Sequence, residues 1–188
     1  TEETPNPNVL KFLPGKEILE GASIEIFSAQ KGENVPLARR LFRISGIKSL
    51  FFGHDFISVT KKEEIEWSGI KADIFSTLMD YFTLHDKVEV QENNTSNASE
   101  LTKKNEEDEI TREIRDLLDT KVRPAVAGDG GDITFERFED GIVFVKMRGA
   151  CSGCPSSTLT LKSGIENMLR YYIPEVQEVR ATNEESES

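Results

Sequence analysis

Two cysteines, Cys151 and Cys154, are separated by two residues in the stretch MRGACSGCPSST, and they are the only cysteines in the chain. Thiols at this spacing can act as a redox pair, form a disulfide or supply half of a metal site. The residues before them predict a strand, and those after them predict a helix with Pro155 in its first turn. Unpaired backbone N–H groups and the dipole at a helix start would stabilise thiolates, so we expect lowered cysteine pKa values.

Four interpretations of this motif differ in what they demand of its surroundings. A thioredoxin-like redox pair normally follows the first strand of a βαβ unit, whereas this motif follows a predicted antiparallel hairpin. A disulfide that closes so short a loop would restrict the unfolded chain little. The small and polar residues around the cysteines are atypical of an inert buried pair. The fourth interpretation is half of a zinc or iron–sulfur site.

A zinc ion or an iron–sulfur cluster usually needs four protein ligands, and this motif supplies two. The two histidines of the chain, His54 and His85, lie in a different predicted domain. The missing ligands come most economically from a second copy of the same loop, because a symmetric dimer places two such pairs around its twofold axis. This hypothesis predicts one cluster for every two chains.

The composition of the chain argues against several classes of protein and partner. The 188 residues carry a net charge of −11, which argues against nucleic acid because phosphate contacts need a basic face. No apolar run approaches the roughly 18 residues of a membrane span, so we expect a soluble protein. Two cysteines are too few for a disulfide-stapled secreted scaffold, and we expect no secretory signal peptide at TEETPNPNVLKF.

Two domains, a linker and a tail are expected along the chain. Residues 1–89 and 109–181 have the hydrophobic periodicity of folded domains, whereas residues 90–108, VQENNTSNASELTKKNEED, are polar and predict a flexible linker. Residues 182–188 are expected to be an acidic, disordered tail. Because the first domain contains no cysteine and no cluster of ligand residues, we interpret it as a recognition or regulatory module.

The first domain is predicted to have the element order ββαββα. Strand patterns occur in VLKFL, GASIEIFS, IKSLFFG and DFISVTKK, and helical spacing occurs in NVPLARRLFRISG and SGIKADIFSTLMDYFTLH. Gly53 and His54 are candidates for a tight hairpin between the last two strands. This order suggests a two-layer domain with helices on one face of a mainly antiparallel sheet.

The second domain is predicted to have the order αββαβ, with the cysteine loop between its second strand and second helix. Pro124 should end or bend the first helix just before it, and GDGGD at residues 128–132 should form a turn or loop. Asp140 and Gly141 lie between alternating apolar residues, which is a strong hairpin signal. The fold class expected for the chain is α+β, with two small two-layer α/β domains joined by a flexible linker.

Two long stretches resemble the domains of one known family. DGGDITFERFEDGIVFVKMRGACSGCPSSTLTLKSGIENMLR resembles the C-terminal NifU-like (Nfu) domain of iron–sulfur cluster assembly proteins. Its GxCxxCPSS motif, in register with the upstream GDGGD, is specific to this family. TPNPNVLKFLPG, with the rest of residues 1–90, resembles the Nfu N-terminal domain. Only the linker and the tail lie outside the resemblance.

The resemblance implies that Cys151 and Cys154 are the ligands of a cluster, 4Fe–4S or alternatively 2Fe–2S, that is bound between two subunits and delivered to target apoproteins. It implies a carrier rather than an enzyme, with a cluster-bound homodimer, upstream assembly factors and apo acceptors as partners. Composition predicts neither nucleic acid nor a membrane as a partner. The expected compartment is a bacterial cytoplasm or a mitochondrial matrix. A thiol–disulfide oxidoreductase and structural zinc at the same dimeric site stay as alternatives.

Overall fold

The computed structural model describes residues 1–91, 109–151 and 155–182, with the backbone alone at 155–158. The chain divides into two compact units, Thr1–Thr95 and Ser96–Ser188. Most of the predicted linker and nearly all of the predicted tail lie outside the described residues, so the predicted domain boundaries stay predictions. None of the helices in the described ranges is long and apolar enough to cross a membrane.

In the described residues 1–91, the N-terminal unit has five strands and two helices. In chain order they are β1 (Glu2–Glu3), β2 (Val9–Phe12), β3 (Ile24–Ile26), α1 (Pro36–Leu41), β4 (Ile47–Phe52), β5 (Ile57–Lys61) and α2 (Trp67–Leu84). The strands form one sheet in the order β1-β2-β5-β4-β3, and every neighbouring pair is antiparallel. The predicted order ββαββα is confirmed, with the short β1 as an addition.

Alternation along the strands places one apolar face of this sheet against the two helices. The shared core is formed by residues such as Leu10, Phe12, Leu50, Phe52, Leu37, Leu41, Ile74 and Leu78. On α2 the buried residues recur every three or four positions, as expected for a helix with one face on a core. The loop between β4 and β5 spans residues 53–56, where the Gly53 N–H donates to the Phe56 carbonyl at 2.9 Å.

The described part of the C-terminal unit has three strands, three α-helices and one π-helical segment. In chain order they are α3 (Glu109–Leu117), a π-helical segment (Leu118–Val122), α4 (Arg123–Gly128), β6 (Gly131–Glu139), β7 (Ile142–Gly149), α5 (Pro155–Tyr172) and β8 (Glu178–Thr182). β6 and β7 form an antiparallel hairpin, and β8 pairs with β7 in parallel. The α+β fold class predicted for the chain is confirmed, and each unit has its own core.

The hairpin turn falls where the sequence predicts it. Asp140 has a φ of 50° and Gly141 a φ of 79°, so both lie in the left-handed region that a two-residue hairpin turn of type I′ requires. The Gly141 carbonyl also accepts the backbone N–H of Gln177 at 2.7 Å. The turn therefore sets the register of β6 on β7 and anchors the chain just before β8.

Pro124 does not end the first helix of this unit, which widens into a π-helical turn just before it. The N–H of Arg123 donates to the carbonyl of Leu118, five residues back, which is the π-helical pattern. This wider turn precedes Pro124, which has no N–H to donate and lies in the first turn of α4, where none is needed. The helix then continues to Gly128.

The predicted loop at residues 128–132 is correct at its centre and wrong at both ends, since Gly128 still belongs to α4. Asp129 and Gly130 form a turn, whereas Gly131 and Asp132 already belong to β6. Gly131 pairs with Gly149, and Asp132 pairs with Arg148. Because β6 pairs with β7 as far as Gly149, Gly131 and Asp132 lie in the sheet although glycine and aspartate are typical of turns.

Candidate functional site

Cys151 lies in the turn that follows β7. This strand ends at Gly149, whose φ is 68°, and the N–H of Ala150 donates to the carbonyl of Gly130 at 3.2 Å. The turn after α4 and the turn after β7 are therefore held side by side. Cys154 lies outside the described residues, so the structure does not test the predicted pairing of the two thiols. As predicted, the next helix begins at Pro155.

The side chain of Cys151 is buried. Only 5% of the residue is exposed, and it belongs to the core of the C-terminal unit. A β-carbon added at Gly131 would lie 2.7 Å from the Sγ of Cys151 and 2.6 Å from the carbonyl oxygen of Arg148. Because only a hydrogen atom fits in that space, glycine at position 131 lets the sulfur pack directly against the start of β6.

The expectation of a lowered cysteine pKa is wrong for Cys151. Burial raises the pKa of this thiol to about 12, and the nearby carboxylates of Asp129 and Asp132 also act to raise it. The sulfur lies four positions before the first residue of α5 and inside the core, so burial outweighs the helix dipole. In the metal-free chain, the thiol of Cys151 is protonated at neutral pH, and a metal ion that binds the sulfur must displace this proton.

An ion pair between the half-buried Arg123 and the buried Asp132 stands beside this turn. Arg123 donates from Nε to Oδ1 of Asp132 at 2.9 Å and from Nη2 to Oδ2 at 3.2 Å. Oδ1 of Asp132 also accepts the N–H of Ile133 at 2.8 Å, and only 9% of the Asp132 side chain is exposed. Hydrogen bonding to Asp132 raises the pKa of Arg123. The pair fixes the start of α4 to the start of β6.

Sequence reasoning missed Arg123 as a neighbour of the cysteine turn. The residue lies nine positions before Asp132, and no periodicity pairs residues across a turn at that distance. The turn itself was predicted, and the proline at position 124 indicated a disturbed helix. Neither signal shows that the helix continues and brings a guanidinium over the first residues of β6.

No ligand set of another kind competes with the cysteines in the described part of the chain. There, no three or more His, Cys, Asp or Glu side chains are grouped so that they could hold a metal ion. His54 contacts the carbonyl of Leu19 through Nδ1 at 3.1 Å. His85 stacks on Tyr81 with ring centroids 4.4 Å apart, and its Nδ1 lies 3.0 Å from Glu89. Both histidines therefore have structural contacts within the N-terminal unit.

Each of the two units matches a known protein family. Residues 1–85 match the family described as scaffold protein Nfu/NifU N terminal, and residues 114–180 match the NifU-like domain. The chain is 49% identical over 180 residues to a human protein named NFU1 iron-sulfur cluster scaffold homolog, mitochondrial, covering 95% of this chain and 69% of that protein. It is 47% identical to the Drosophila ananassae protein of the same name, covering 95% of this chain and 62% of that protein.

The chain thus spans about two thirds of the length of these curated relatives. Among solved structures, it is similar to the solution NMR structure of a NifU-like protein from Saccharomyces cerevisiae. The TM-score is 0.44 and the sequence identity 30%, and the match covers 48% of this chain and 82% of that one.

Proposed function

The chain belongs to the Nfu family of iron–sulfur cluster scaffold proteins, and from this membership we propose that it carries a labile 4Fe–4S cluster bridged between two copies of itself. Cys151 and Cys154 of each copy supply two thiolates. The observation that carries the proposal is the position of Cys151, in a turn after β7 and four residues before α5, with the only other cysteine three residues further on. Two thiolates per chain and four ligands per cluster require two chains.

The burial of Cys151 suits a carrier that gives its cargo away. To bind iron, the thiol must lose its proton and leave contacts with the core of the C-terminal unit. An acceptor thiolate that forms a new iron–sulfur bond displaces the bond to Cys151, whose sulfur then takes up a proton and returns to the core. Recovery of the buried contacts favours the cluster-free chain and hence release. The protein turns over no small molecule in this scheme.

Anaerobic reconstitution tests the proposal directly. The reduced full-length chain is incubated with ferrous iron and sulfide, and iron, sulfide, visible absorbance and molar mass by light scattering are measured. We expect one cluster per two chains, with a Mössbauer spectrum of the 4Fe–4S type. Cys151→Ser and Cys154→Ser should each abolish cluster uptake and dimer formation. A chain that stays monomeric and takes up no iron would refute the proposal.

The same preparation separates the two alternatives. A thiol–disulfide oxidoreductase would reduce a model disulfide, but a nucleophilic cysteine needs a lowered pKa, whereas burial raises the pKa of Cys151 to about 12. Structural zinc at the dimeric site would appear as stoichiometric zinc in protein purified without oxygen. Metal analysis before and after reconstitution distinguishes zinc from iron.

The names of the relatives support a compartment for this carrier. Those compared above are named as mitochondrial, so the mitochondrial matrix is the compartment we assign rather than a bacterial cytoplasm. Its partners are a second copy when the cluster is bound, upstream assembly factors and apo iron–sulfur acceptors. Residues 1–89 act as the recognition module and residues 109–181 as the cluster-binding domain. Matrix fractionation of the tagged protein checks the compartment.

A further inference from the structure

An open groove separates the C-terminal end of α1 from α2 in the N-terminal unit. Its volume is about 780 Å³, and two isoleucines, Ile44 and Ile70, contribute its apolar lining. The other lining residues are polar or charged, or are glycine. Small-molecule sites are mostly enclosed and apolar. This groove is open and polar, so it is better suited to a segment of polypeptide than to a small ligand.

The two sides of the groove carry opposite charges. Arg40 at the end of α1 and Arg43 in the turn after it line one side, and Asp73 and Asp80 line the α2 side. The two aspartates are seven residues apart, two helical turns or about 10 Å along one face of α2. Thr77 lies between them on the same face.

These four charges do not neutralise one another. Within the described residues, the charged groups of Arg40, Arg43, Asp73 and Asp80 make no ion pair and no side-chain hydrogen bond. The hydroxyl of Thr77 donates to the backbone carbonyl of Asp73 at 2.8 Å and leaves its carboxylate unengaged. Arg40 instead lies over the ring of Tyr81, 5.7 Å from its centroid. All four groups are exposed in the open groove, and each keeps its hydrogen-bonding capacity for another molecule.

Gly69 leaves space for another backbone to approach this groove. It lies in the first turn of α2 and lines the groove. A β-carbon at this position would meet nothing within 4 Å, and its φ is not positive. Neither packing nor backbone conformation requires glycine here, although glycine weakens a helix. A missing side chain does, however, leave room for a ligand main chain to lie close to α2.

We propose that this groove binds an extended segment of a partner protein in which basic and acidic side chains alternate. Successive side chains of an extended chain point in opposite directions. A segment lying along the groove would therefore direct its basic residues to Asp73 and Asp80 and its acidic residues to Arg40 and Arg43. Its backbone passes over Ile44, Ile70 and Gly69.

Synthetic hexapeptides of defined pattern test this assignment. The fluorescein-labelled probes are the alternating peptide KEKEKE, the segregated peptide KKKEEE of equal composition, and the basic peptide KQKQKQ, each titrated by anisotropy into the full-length reduced chain. Since each exposed ion pair contributes little, we expect weak binding, with the alternating peptide bound about fivefold more tightly than the segregated one. Equal affinity for these two peptides would overturn the proposal.

Reversing the charge of one side gives a sharper test. The double variant Arg40→Glu/Arg43→Glu makes both sides acidic, so it should lose about fivefold in affinity for the alternating peptide and gain affinity for the basic peptide. Arg39→Glu is the matched control, because Arg39 is an exposed residue of α1 that does not line the groove. An unchanged preference in the double variant, or an equal change in the control, would contradict the assignment.

Gly69→Ala separates binding from folding. In the full-length chain, this change should raise the urea midpoint of the N-terminal unit and weaken binding of the alternating peptide, since the new methyl group lies in the path of the peptide. Unchanged peptide affinity would show that no backbone passes there. The inference rests on the proposed recognition role of residues 1–89, but its tests use no cluster. Failure of peptide binding therefore leaves the cluster proposal standing, and failed reconstitution leaves the groove standing.

Discussion

The hydrogen atom of Gly131 that a side chain would replace points at the sulfur of Cys151, 2.7 Å from where a β-carbon would lie. The same β-carbon would lie 2.6 Å from the carbonyl oxygen of Arg148. Gly131 begins β6, and Cys151 follows the end of β7, so both ends of the hairpin meet at this contact. The cysteine turn is thus packed against a strand that is fixed by its own ladder hydrogen bonds.

Gly131→Ala should destabilise the C-terminal unit by about 1–3 kcal/mol, because a rigid backbone oxygen cannot move aside for the methyl group. Hydrogen exchange of the β6 and β7 amides measures this loss. The fluorescence of Trp67, the single tryptophan, reports unfolding of the N-terminal unit separately.

Gly164→Ala is the control for this prediction, since a β-carbon at position 164 would meet nothing within 4 Å. This change should stabilise α5 by about 0.5–1 kcal/mol. Equal effects of the two changes would refute the packing argument.

Arg123→Ala should cost the C-terminal unit about 1–3 kcal/mol, because it leaves the buried carboxylate of Asp132 without its bidentate partner. Asp132→Asn in the same chain should recover part of the loss, since a neutral amide is cheaper to bury. Arg170→Ala is the comparison, because Arg170 pairs with Glu166 at 3.8 Å in an exposed position, and should change stability by less than about 1 kcal/mol. Hydrogen exchange of β6 provides the readout, and a double variant no more stable than Arg123→Ala would contradict the argument.

The elements of both units could be predicted because their signals are local. The left-handed turn at Asp140 and Gly141, the start of α5 at Pro155 and the buried positions of α2 each follow from residue type and spacing. The π-helical segment could not be predicted. Pro124 indicates a disturbance, but whether the helix ends or widens depends on how its next turn packs against β6, which is a tertiary property.

The site could be predicted as a motif but not as an environment. The spacing of Cys151 and Cys154 suggested a half-site from the sequence alone. The helix-start argument then gave the wrong direction for the pKa of Cys151, because the burial that raises it comes from Gly131 and from residues far away in sequence. The local sequence identifies the thiols of the site, whereas packing against residues distant in sequence sets the pKa of Cys151.

Cys151 should react slowly with iodoacetamide in the folded chain without cargo. The reaction requires thiolate, and burial raises the pKa of this thiol from 9.0 to about 12. At pH 8 the folded chain should therefore react on the order of a hundredfold or more slowly than the urea-unfolded chain. A Cys154→Ser variant confines the signal to Cys151, and mass spectrometry counts the adducts.

The pH dependence of this alkylation reveals the direction in which the pKa of Cys151 is shifted. Since the folded pKa is raised, the rate for the folded chain should keep rising towards pH 12, whereas the rate for the unfolded chain is half-maximal near pH 9 and levels off above it. The protonated thiol likewise stabilises the fold fully below pH 9, and that contribution is lost as the pH rises towards 12. Rapid alkylation of the folded variant at pH 7 would show that the sulfur is not held in the core.

A chain reduced to residues 106–188 should still fold and take up a cluster. The C-terminal unit has its own core, built from Ile114, Val126 and Val145 on different elements and closed by α5, and Cys151 packs in that core. Iron content and molar mass after anaerobic reconstitution should again give one cluster per two chains.

Transfer of the cluster should differ, because the truncated chain lacks the groove at Arg40 and Asp73. The truncated carrier should load several apo acceptors at similar rates, whereas the full chain should load some of them faster than others. Competition between two apo acceptors measures that preference. A truncated chain that binds no iron would refute the modular interpretation, and one that keeps the full preference would place recognition in the cluster-binding domain.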